Sequence, residues 1–478
     1  MNDFSRRDFL KKTAATAGLL YIVPSHAVSG LGHRAPSDKL NIAGIGVGSK
    51  GHVNLRNMKT ENIVALADID WNYAKGCFES FPAAKRYYDF RTMFDEMAAS
   101  IDAVVIATPD HTHTTAALAA MQLGKHVYVQ KPLTHAVYES RLLLEASRRY
   151  KVVTQMGNEG HSSASVSEVC EWLWSGAIGD VTHVDAWTDR PIWPQGLSRP
   201  TQDMGVPDHI KWDLFIGPAP LRPYHSAYHP WNWRGWWDFG TGALGDMACH
   251  VLDVVFSAMK LGHPTAVSAS STAFNTESAP QASIIHYEFP ARPKEGKVNM
   301  PALTVTWYDG GLTPKRPAEL TDNQEFGEGK NGIIFHGSKG IIICGNYGGS
   351  YKLLPESKFK NAPKRLRRVE TSHEMDFVRA CKEAPNVKDM PLSNFEYAGP
   401  LNEMVVMGNL AVRLKSLEKK LLWDGDNMRI TNLSDSDEIR VPNGIPDTKP
   451  NTVKLNAKQA AEEYIRPTYH NGWALKVT

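Results

Sequence analysis

The sequence predicts an α/β chain of two domains, a parallel sheet wound with helices followed by an α+β domain with a largely antiparallel sheet. Three observations support this fold class. Short apolar runs alternate with helical patterns from residue 39 to about residue 160. Strand-like runs then follow one another, with helices between and after them, to residue 431. Finally, 478 residues of which 42% are hydrophobic can fill two cores.

The first residues have the pattern of an export signal. Arg6 and Arg7 precede a mild apolar stretch, and small residues follow that stretch. The apolar stretch is too short to span a bilayer, so the sequence predicts no membrane anchor. We predict a twin-arginine signal peptide over residues 1–27, a linker over residues 28–38, export of the folded protein by the twin-arginine machinery, and a periplasmic location. The alternative interpretation is an ordinary basic N-terminus.

The composition excludes several classes of partner. Without residues 1–27 the chain has 49 Lys and Arg against 49 Asp and Glu. This balance gives no basic excess for binding nucleic acid or an anionic membrane. The five cysteines are widely spaced and form no C-x-x-C pair. The sequence therefore predicts neither a disulfide framework nor a thiolate metal site, which fits folding in a reducing compartment before export.

A glycine-rich turn opens the first domain. An apolar run over residues 40–45 leads into Gly46-x-Gly48-x-x-Gly51, then a helical pattern and a second apolar run that ends at Asp68. In a dinucleotide-binding Rossmann unit these glycines make the tight turn, admit the pyrophosphate and let helix and strand pack closely. An acid at the position of Asp68 binds the adenosine ribose and repels a 2′-phosphate, so NAD is predicted over NADP. The alternative is a βαβ unit whose turn merely needs glycine.

Two later loops are predicted at the same edge of this sheet. One follows the buried strand pattern at residues 101–107, and the other follows the pattern at residues 126–129. Ligands of open α/β sheets bind beyond the carboxyl ends of the strands. The candidate cofactor-binding residues in these loops are Thr108, Pro109, Asp110, His113, Gln130 and Lys131.

The residues predicted for catalysis come from one of these loops and from a helix predicted over residues 242–259. Oxidation of an alcohol needs a hydride acceptor, a base and a positive group near the developing alkoxide. Lys131 can supply the positive group. Asp246 and His250 lie four residues apart and thus on one helix face, with His250 as the base and Asp246 to orient it or bind a substrate hydroxyl. No partner ligands are evident for a metal there, so none is predicted.

An aromatic stretch over residues 187–237 holds seven of the thirteen tryptophans. Aromatic rings with neighbouring polar groups can form a platform for a sugar, and such rings also pack in cores and subunit contacts. Both interpretations stay open at this point. The candidate substrate-binding residues are Trp187, Arg190, Arg234, Trp236, Trp237 and, on the predicted helix, Asp253.

The motifs occur together in an order that resembles a known family. They are Gly46-x-Gly48-x-x-Gly51, Asp68, Thr108-Pro109-Asp110 with His113, Gly124-Lys125-His126-Val127 with Lys131-Pro132, and Gly240-Thr241-Gly242 with Asp246 and His250. Over about residues 39–420 the chain resembles the Gfo/Idh/MocA oxidoreductases, the family of glucose–fructose oxidoreductase and inositol dehydrogenase. The resemblance implies a Rossmann domain followed by a domain with a large open-faced sheet, which often mediates dimers or tetramers.

The resemblance also implies residue roles. Lys131 corresponds to the lysine of the family's Glu-Lys-Pro motif, and Asp246 and His250 correspond to its Asp-x-x-x-His pair. Two positions depart from the family pattern: Gln130 stands where glutamate is usual, and Thr241 interrupts a glycine triplet. Neither position is part of the proposed acid–base pair, but both bear on the substrate class.

Residues 432–478 lie outside the part of the chain that resembles the family. We predict an irregular C-terminal extension here, with aromatic and basic side chains that could cover the site or contact a neighbouring subunit. Those side chains are Tyr464, Arg466, Tyr469 and Trp473.

The expected function is hydride transfer between a tightly bound NAD and a ring hydroxyl of a sugar or glycoside, with C3 as a candidate position. One alternative is an NAD-dependent glycosidase that oxidises C3 transiently, eliminates the aglycone and returns the hydride. The other is a non-catalytic sugar-binding protein, which Lys131 and His250 disfavour. Export implies that NAD is loaded during folding and retained. The expected partners are a carbohydrate, the export machinery and further copies in a homo-oligomer.

Overall fold

The N-terminal domain is built on a parallel sheet. The computed structural model describes residues 38–355 and 364–475, so the predicted signal peptide lies outside the described residues. The strands of this sheet are β1 (Asn41–Ile45), β2 (Asn62–Ala67), β3 (Lys85–Tyr87), β4 (Ala103–Ile106), β5 (His126–Val129) and β6 (Thr154–Met156). The helices that connect them are α1 (Lys50–Asn57), α2 (Lys75–Ser80), α3 (Phe90–Met97), α4 (Asp110–Gln122) and α5 (Val137–Tyr150).

The strand order places a crevice next to the glycine turn. Among the described residues the sheet has the order β3-β2-β1-β4-β5-β6, and every neighbouring pair is parallel. The order reverses between β1 and β4, where loops leave the sheet in opposite directions and a ligand crevice opens. β4 is buried along its whole length, as its continuous run of apolar residues predicts.

The second domain contains a nine-stranded sheet in the part of the chain that the structure describes. Its strands are β7 (Val181–Trp187), β8 (Ala266–Ser271), β9 (Ser283–Phe289), β12 (Leu303–Tyr308), β13 (Gly332–Gly337), β14 (Gly340–Cys344), β15 (Lys352–Leu354), β16 (Leu421–Asp424) and β17 (Arg429–Ile430). A separate hairpin joins β10 (Arg292–Glu295) to β11 (Val298–Met300). The order of the large sheet is β15-β14-β13-β7-β12-β9-β8-β16-β17, and β7 with β12 is its parallel pair.

One face of the large sheet packs on helices. Between the first domain and residue 432 the described chain forms the helices α6 (Ala164–Trp174), α7 (Trp212–Ile216), α8 (Gly242–Ala258), α9 (His373–Glu383) and α10 (Phe395–Arg413). Ile285 and Tyr287 of β9 are fully buried in the core shared with α8 and α10, whereas His286 between them is exposed. This alternation is that of a sheet with one covered face. The predicted fold class, including a large and mainly antiparallel sheet, is confirmed.

Helix α9 packs on the first domain although it follows the strands of the second. Phe377 of α9 is fully buried in the core that contains β1 and α1, and its ring centroid lies 5.8 Å from that of Tyr128. Glu374 accepts hydrogen bonds from Asn54 and Asn57 at 3.0 and 2.8 Å. The chain therefore returns to the first domain before α10 and the last strands of the large sheet.

The prediction of an irregular extension from Asn432 is wrong. Strands β18 (Glu438–Pro442) and β19 (Thr452–Asn456) pair as a hairpin, and helix α11 (Ala457–Ile465) follows directly. The buried residues of α11 are Ala457, Ala460, Ala461 and Ile465, which lie on one face of the helix at spacings of three and four residues and join the main core. No helix among the described residues is both long enough and apolar enough to span a membrane.

Candidate active site

A cavity of about 580 Å³ opens beyond the carboxyl ends of the parallel strands. Three separate parts of the chain line it: loops of the first domain, side chains between Gly157 and Tyr347, and Trp473 from the tail. Its walls combine aromatic side chains with charged ones, as in binding sites that orient a polar ligand against an apolar surface. Most of the residues predicted for catalysis and cofactor binding line this one cavity.

The glycine turn forms one wall. Gly46 and Gly48 line the cavity, and Gly46 adopts a φ of +76°. A Cβ on Gly46 would lie 2.7 Å from the backbone of Ala107 and Thr108, and a Cβ on Gly51 would overlap the carbonyl oxygen of Gly46. Ser49 makes no side-chain cap on α1, so the first amides of α1 are available to an anion. These positions fit the turn, close-approach and packing roles predicted for the three glycines.

Asp68 follows β2, and its carboxylate contacts the backbone of the glycine turn. Its Oδ2 accepts from the Val47 amide at 2.7 Å, and its Oδ1 accepts from the Asp70 amide at 3.0 Å. Each oxygen keeps a further lone pair, and the side chain lines the cavity, so it can accept from ribose hydroxyls. Burial raises the pKa of Asp68 to about 6, which leaves the carboxylate mainly ionised at neutral pH.

The loop after β4 is divided between the cavity and the core. Thr108, Pro109 and Asp110 line the cavity. His113 does not line it: its ring nitrogens lie 2.8 Å from the carbonyl oxygens of Pro132 and Thr108, and the residue is 1% exposed. The assignment of His113 to cofactor binding is therefore corrected. Because its two ring nitrogens face backbone carbonyls, one in the loop after β4 and one in the loop after β5, the imidazole links these two loops and has no polar atom left for a cofactor.

Asp110 connects the first domain to helix α8. Its Oδ2 accepts from the Thr241 amide at 3.0 Å and from the Thr241 hydroxyl at 2.6 Å. Burial raises the pKa of Asp110 to about 6. Thr241, which interrupts the family's glycine triplet, thus supplies two hydrogen bonds that position α8 against the cofactor side.

Gln130 also has a defined set of partners. Its amide donates to Asn54 Oδ1 at 2.9 Å, and the Asn54 amide donates in turn to Glu374 at 3.0 Å. A glutamine suits this position because it gives a hydrogen bond toward a buried carboxylate without adding a second negative charge. Gln130 lines the cavity next to Lys131.

Lys131, Asp246 and Arg234 form an ion cluster inside the cavity. Lys131 Nζ donates to Asp246 Oδ1 and to the Asp246 carbonyl oxygen, both at 2.8 Å. Arg234 Nε donates to the same Oδ1 at 3.2 Å. Burial alone would raise the pKa of Asp246, but the positive charges of Lys131 and Arg234 outweigh it and hold that pKa far below its ordinary value. Asp246 is therefore a permanent anion that orients two cations.

His250 lies one turn further along α8 and faces the same cavity. The residue is 8% exposed. Its Nδ1 is buried without a hydrogen-bond partner among the described residues, and the ring of Tyr347 stands edge-on at 5.0 Å. Burial, with the nearby charge of Lys131, lowers the pKa of His250 well below 6.5. The imidazole is neutral and can accept a proton at neutral pH. Asp246 makes no hydrogen bond to it in the described structure, so Asp246 orients Lys131 and Arg234 instead.

Three predicted substrate contacts lie in cores instead. Trp187 is 1% exposed and stacks on Phe326, and the indole N–H groups of Trp236 and Trp237 donate to backbone carbonyls. The assignment of these three tryptophans to substrate binding is corrected. Their rings pack in the core, which is the other interpretation that the sequence left open. Asp253 is corrected as well, because its carboxylate is enclosed by Asn158, His161 and Tyr397 and does not line the cavity.

Arg190 and Arg234 line the cavity as predicted, next to three tryptophans of the same stretch. The Arg234 guanidinium carbon lies 4.1 Å from the ring centroid of Trp231 and 4.3 Å from that of Trp233. This stacking fixes Arg234 beside Asp246. Of the tryptophans in this stretch that could form a sugar platform, Trp193, Trp231 and Trp233 line the cavity.

Several lining residues were missed by the sequence analysis. Lys50 pairs with Glu159 at 2.7 Å across the cavity mouth. The position of Lys50 inside the glycine motif, and that of Glu159 just after the last parallel strand, could have indicated them. Tyr347 has no such local signal, although its φ of 58° is unusual for a side chain larger than glycine. Trp473, predicted to cover the site or a subunit contact, lines the cavity.

Comparison with known families agrees with this architecture. Residues 39–158 match the model described as oxidoreductase family, NAD-binding Rossmann fold, and residues 171–290 match that of the same family's C-terminal alpha/beta domain. The chain belongs to the Gfo/Idh/MocA family of oxidoreductases. The prediction of a Rossmann domain for NAD is thereby confirmed.

Individual relatives in the Gfo/Idh/MocA family are distant. Levoglucosan dehydrogenase of Pseudarthrobacter phenanthrenivorans is 25% identical over 49% of this chain and 47% of its own length. Inositol 2-dehydrogenase 2 of Saccharopolyspora erythraea is 32% identical over 29% of this chain and 42% of its own length. The chain spans about half the length of the curated relatives it matches.

A solved structure supports the fold over a longer range. The WlbA dehydrogenase from Bordetella pertussis, in complex with NADH and UDP-GlcNAcA, aligns with a TM-score of 0.53 over 81% of this chain and 99% of its own length. Its sequence identity of 14% limits the likeness to the fold.

Proposed function

We propose that this protein is an NAD-dependent dehydrogenase that moves a hydride between a tightly held nicotinamide cofactor and a ring hydroxyl of a sugar or glycoside, with C3 as the candidate position. One observation carries the proposal. Lys131 from the first domain and His250 from the second line the same cavity as the glycine turn. A cation, a neutral base and a cofactor cradle are the three components that alcohol oxidation requires.

The residues of the cradle fit NAD. The turn at Gly46 and Gly48 brings backbone into the cavity wall where a side chain would clash, and α1 begins there without a side-chain cap. Asp68 would accept from the adenosine ribose and would repel a 2′-phosphate. When bound, NAD supplies the hydride acceptor or donor of the reaction.

The chain's own residues supply the rest of the chemistry. Neutral His250 accepts the proton of the substrate hydroxyl. Lys131 has three N–H groups, of which the carboxylate and carbonyl of Asp246 take two. The third is free to bind the substrate oxygen and stabilise the negative charge that develops as its proton leaves. Asp246 keeps Lys131 in place and does not take part in proton transfer.

The shape and lining of the cavity support a carbohydrate as substrate. Trp193, Trp231 and Trp233 offer apolar ring faces, and Arg190 and Arg234 offer donors for hydroxyl groups. The names of the matched relatives, levoglucosan dehydrogenase and inositol 2-dehydrogenase, are those of enzymes for anhydrosugars and polyols. A polyhydroxylated ring is therefore the substrate class we propose.

A second candidate function is the NAD-dependent glycosidase. Elimination after transient oxidation at C3 needs a second proton acceptor for the C2 proton. The cavity holds further acid–base groups: Glu159, a carboxylate paired with Lys50, can take this proton, and the Tyr347 hydroxyl beside His250, whose pKa burial raises to about 12, can only donate one. This reaction consumes no net NAD, which suits a protein that holds its cofactor.

One experiment separates these functions from simple sugar binding. The holoprotein is mixed with a panel of sugars and glycosides while nicotinamide absorbance and released aglycone are followed. Cofactor reduction or a keto-sugar without cleavage supports the dehydrogenase, and cleavage without net reduction supports the glycosidase. Saturable sugar binding with neither reaction would leave only a binding protein and would contradict both enzymatic proposals.

We also propose that the protein is exported folded through the twin-arginine machinery to the periplasm, with NAD already inside, and that it assembles as a homo-oligomer. The paired Arg6 and Arg7 support export. Fractionation of cells that express the wild type or the R6K/R7K double variant tests the route, and nucleotide analysis of the purified protein tests retention. Wild-type protein found in the cytoplasm, or purified without nucleotide, would contradict this proposal.

A further inference from the structure

A second cluster of chemically active side chains lies outside the cavity, on the large sheet. His183 and Asp185 stand on β7, and His336 stands on the neighbouring strand β13. His183 and His336 are directly opposite each other in the antiparallel register, with ring centroids 5.3 Å apart. Side chains two residues apart on a strand share a face. All three side chains therefore point to the same side of the sheet.

The geometry of this His–Asp–His cluster (His183, Asp185 and His336) is compact. Nε2 of His183 lies 3.0 Å from Asp185 Oδ1, and Nε2 of His336 lies 2.9 Å from Asp185 Oδ2. One ligand atom from each residue can be chosen so that all three lie within 4.8 Å of one another. In a single subunit both imidazoles are more than a third exposed, 38% and 35% for their side chains, so an ion from solvent can reach them there.

The cluster has no part in the proposed hydride transfer. None of its three residues lines the cavity. Val184 and Ala186, which alternate with them along β7, are fully buried in the core shared with α8. The cluster therefore lies on the other face of β7 from the helix that carries His250.

We propose that the His–Asp–His cluster binds one divalent transition-metal ion of the zinc class, with water completing the coordination. Two imidazole nitrogens and one carboxylate oxygen are a common protein ligand set for zinc with an open position. With neutral imidazoles the three ligands carry one negative charge, which a dication more than neutralises. Nitrogen ligands favour Zn²⁺ and its neighbours over Mg²⁺ or Ca²⁺, which prefer oxygen.

Side-chain rotations would bring the three ligand atoms to the spacing of a bound ion. Metal–ligand bonds of about 2.0–2.1 Å in a tetrahedral site place neighbouring ligand atoms roughly 3.3 Å apart. The nitrogen–oxygen distances of 2.9 and 3.0 Å, each to a different oxygen of Asp185, need to open by a few tenths of an ångström, and the longest separation among the three ligand atoms, at most 4.8 Å, needs to close toward that spacing. Each imidazole must release its Nε2 toward the ion, and a neutral histidine can do so by carrying its proton on Nδ1.

Neighbouring strands hold the carboxylate in position. The Tyr308 hydroxyl on β12 donates to Asp185 Oδ1 at 3.1 Å. β7 lies between β13 and β12 within the sheet, so the ligands stand on strands that are hydrogen-bonded on both sides. His286 on β9 lies nearby, with its Nδ1 3.1 Å from the Thr306 hydroxyl. A rigid strand support and an oriented carboxylate are features of built metal sites. The ion would cross-link β7 and β13 and so stabilise the folded protein.

The test measures metal content and affinity on the untagged full chain. The protein is stripped with a chelator, dialysed against ZnCl₂ and analysed for zinc, and CoCl₂ is added separately as an absorbing substitute. We expect one equivalent of zinc, visible d–d absorption of cobalt in a tetrahedral site, and a rise in Tm with zinc. His183→Ala and His336→Ala should each weaken binding more than about tenfold, and Tyr308→Phe should weaken it by about tenfold.

Two controls keep the proposal falsifiable. His470→Ala removes an exposed imidazole elsewhere and should leave binding unchanged, and His250→Ala tests whether zinc binds in the cavity instead. Asp185→Asn is a further variant if either alanine variant unfolds. Absence of stoichiometric zinc in the wild type, or binding unchanged by His183→Ala and His336→Ala, would show that Asp185 is only hydrogen-bonded between two imidazoles and would overturn the proposal.

Discussion

The pKa of His250 determines how the proposed reaction depends on pH. Burial and the charge of Lys131 lower that pKa well below 6.5. Because the neutral imidazole is the active form, the base stays competent as the pH falls through 6.5, and the rate is lost only at lower pH. We therefore expect the acidic limb of kcat, measured at saturating substrate, to lie below pH 6.5. A limb at or above pH 6.5 would contradict the assignment of His250 as the base.

Replacing Lys131 should change both the rate and this pH profile. Lys131→Met removes the group that stabilises the alkoxide, so kcat should fall by about 10²–10³-fold. It also removes a positive charge that lowers the pKa of His250, so the acidic limb should move to higher pH. The measurement is kcat across pH 4–9 for both proteins, and the control is Lys382→Met, since Lys382 pairs with Glu61 away from the cavity. If the acidic limb does not shift, the charge of Lys131 does not affect the pKa of the catalytic base.

Removing the base itself should leave the cofactor site intact. His250→Ala should lower kcat by about 10²–10⁴-fold, the usual contribution of a general base. NAD should stay bound, because the glycine turn and Asp68 are unchanged. Absorbance of bound nucleotide and initial rates on the same preparation test both parts, with His225→Ala as a control outside the cavity lining. Full activity of His250→Ala would show that His250 is not the general base.

The site residues that could be predicted from the sequence are those placed by short-range spacing along one helix or just after one strand. Asp246 and His250 share a helix face because they are four residues apart, and Lys131 follows a recognisable strand. Trp187, Trp236 and Trp237 were misassigned because the burial of an indole depends on which distant elements meet it. The His–Asp–His cluster was missed for the same reason, since His336 reaches Asp185 only through strand pairing.

At the scale of elements, the contact between α1 and the glycine turn should control cofactor affinity. A Cβ on Gly51 would overlap the carbonyl oxygen of Gly46, so Gly51→Ala must push α1 away from the turn. Overpacking of this kind costs about 1–3 kcal/mol, and we expect NAD affinity to fall by roughly tenfold or more. Gly262→Ala is the matched control, because its Cβ would meet no atom within 4 Å. Equal NAD affinity in the two variants would show that this contact is not needed.

Helix α9 offers a test of how the two domains are tied together. Phe377 is fully buried against β-strand residues of the first domain, so Phe377→Ala should lower the free energy of unfolding by about 3–5 kcal/mol. Met390→Ala, at a side chain that is 40% exposed, should change it by less than about 0.5 kcal/mol. Thermal or denaturant unfolding of both variants provides the comparison. Similar stabilities would mean that α9 adds little to the first domain.

The elements themselves were predicted where their pattern is local. The βα alternation, the apolar strand β4 and helix α8 follow from periodicity in short windows. The tail was predicted wrongly because the buried face of α11 consists mainly of alanines, Ala457, Ala460 and Ala461, which give a weak apolar signal. The return of α9 to the first domain has no local signal, because it depends on which core Phe377 can reach.

At the scale of the whole molecule, the cavity is closed by segments that are far apart in the sequence. Trp473 lines it from the tail, its ring 6.0 Å from that of Phe90 and 4.6 Å from the guanidinium carbon of Arg91. Tyr469, four residues earlier, donates to Glu139 and anchors the tail on the first domain. An aromatic side chain fixed in this way can slow the release of a bound ligand.

We therefore expect Trp473→Ala to speed NAD release without impairing the chemical step. Loss of one stacked indole contact of about 1–2 kcal/mol corresponds to roughly a 5–30-fold faster off-rate. The holoprotein is diluted into a scavenger of free NAD and the loss of bound nucleotide is timed, with Leu221→Ala, 70% exposed and outside the cavity lining, as the control. Unchanged release would mean that the tail does not retain the cofactor. Faster release with an unchanged kcat at saturating NAD would show that the tail retains the cofactor, which the proposed export with bound NAD requires.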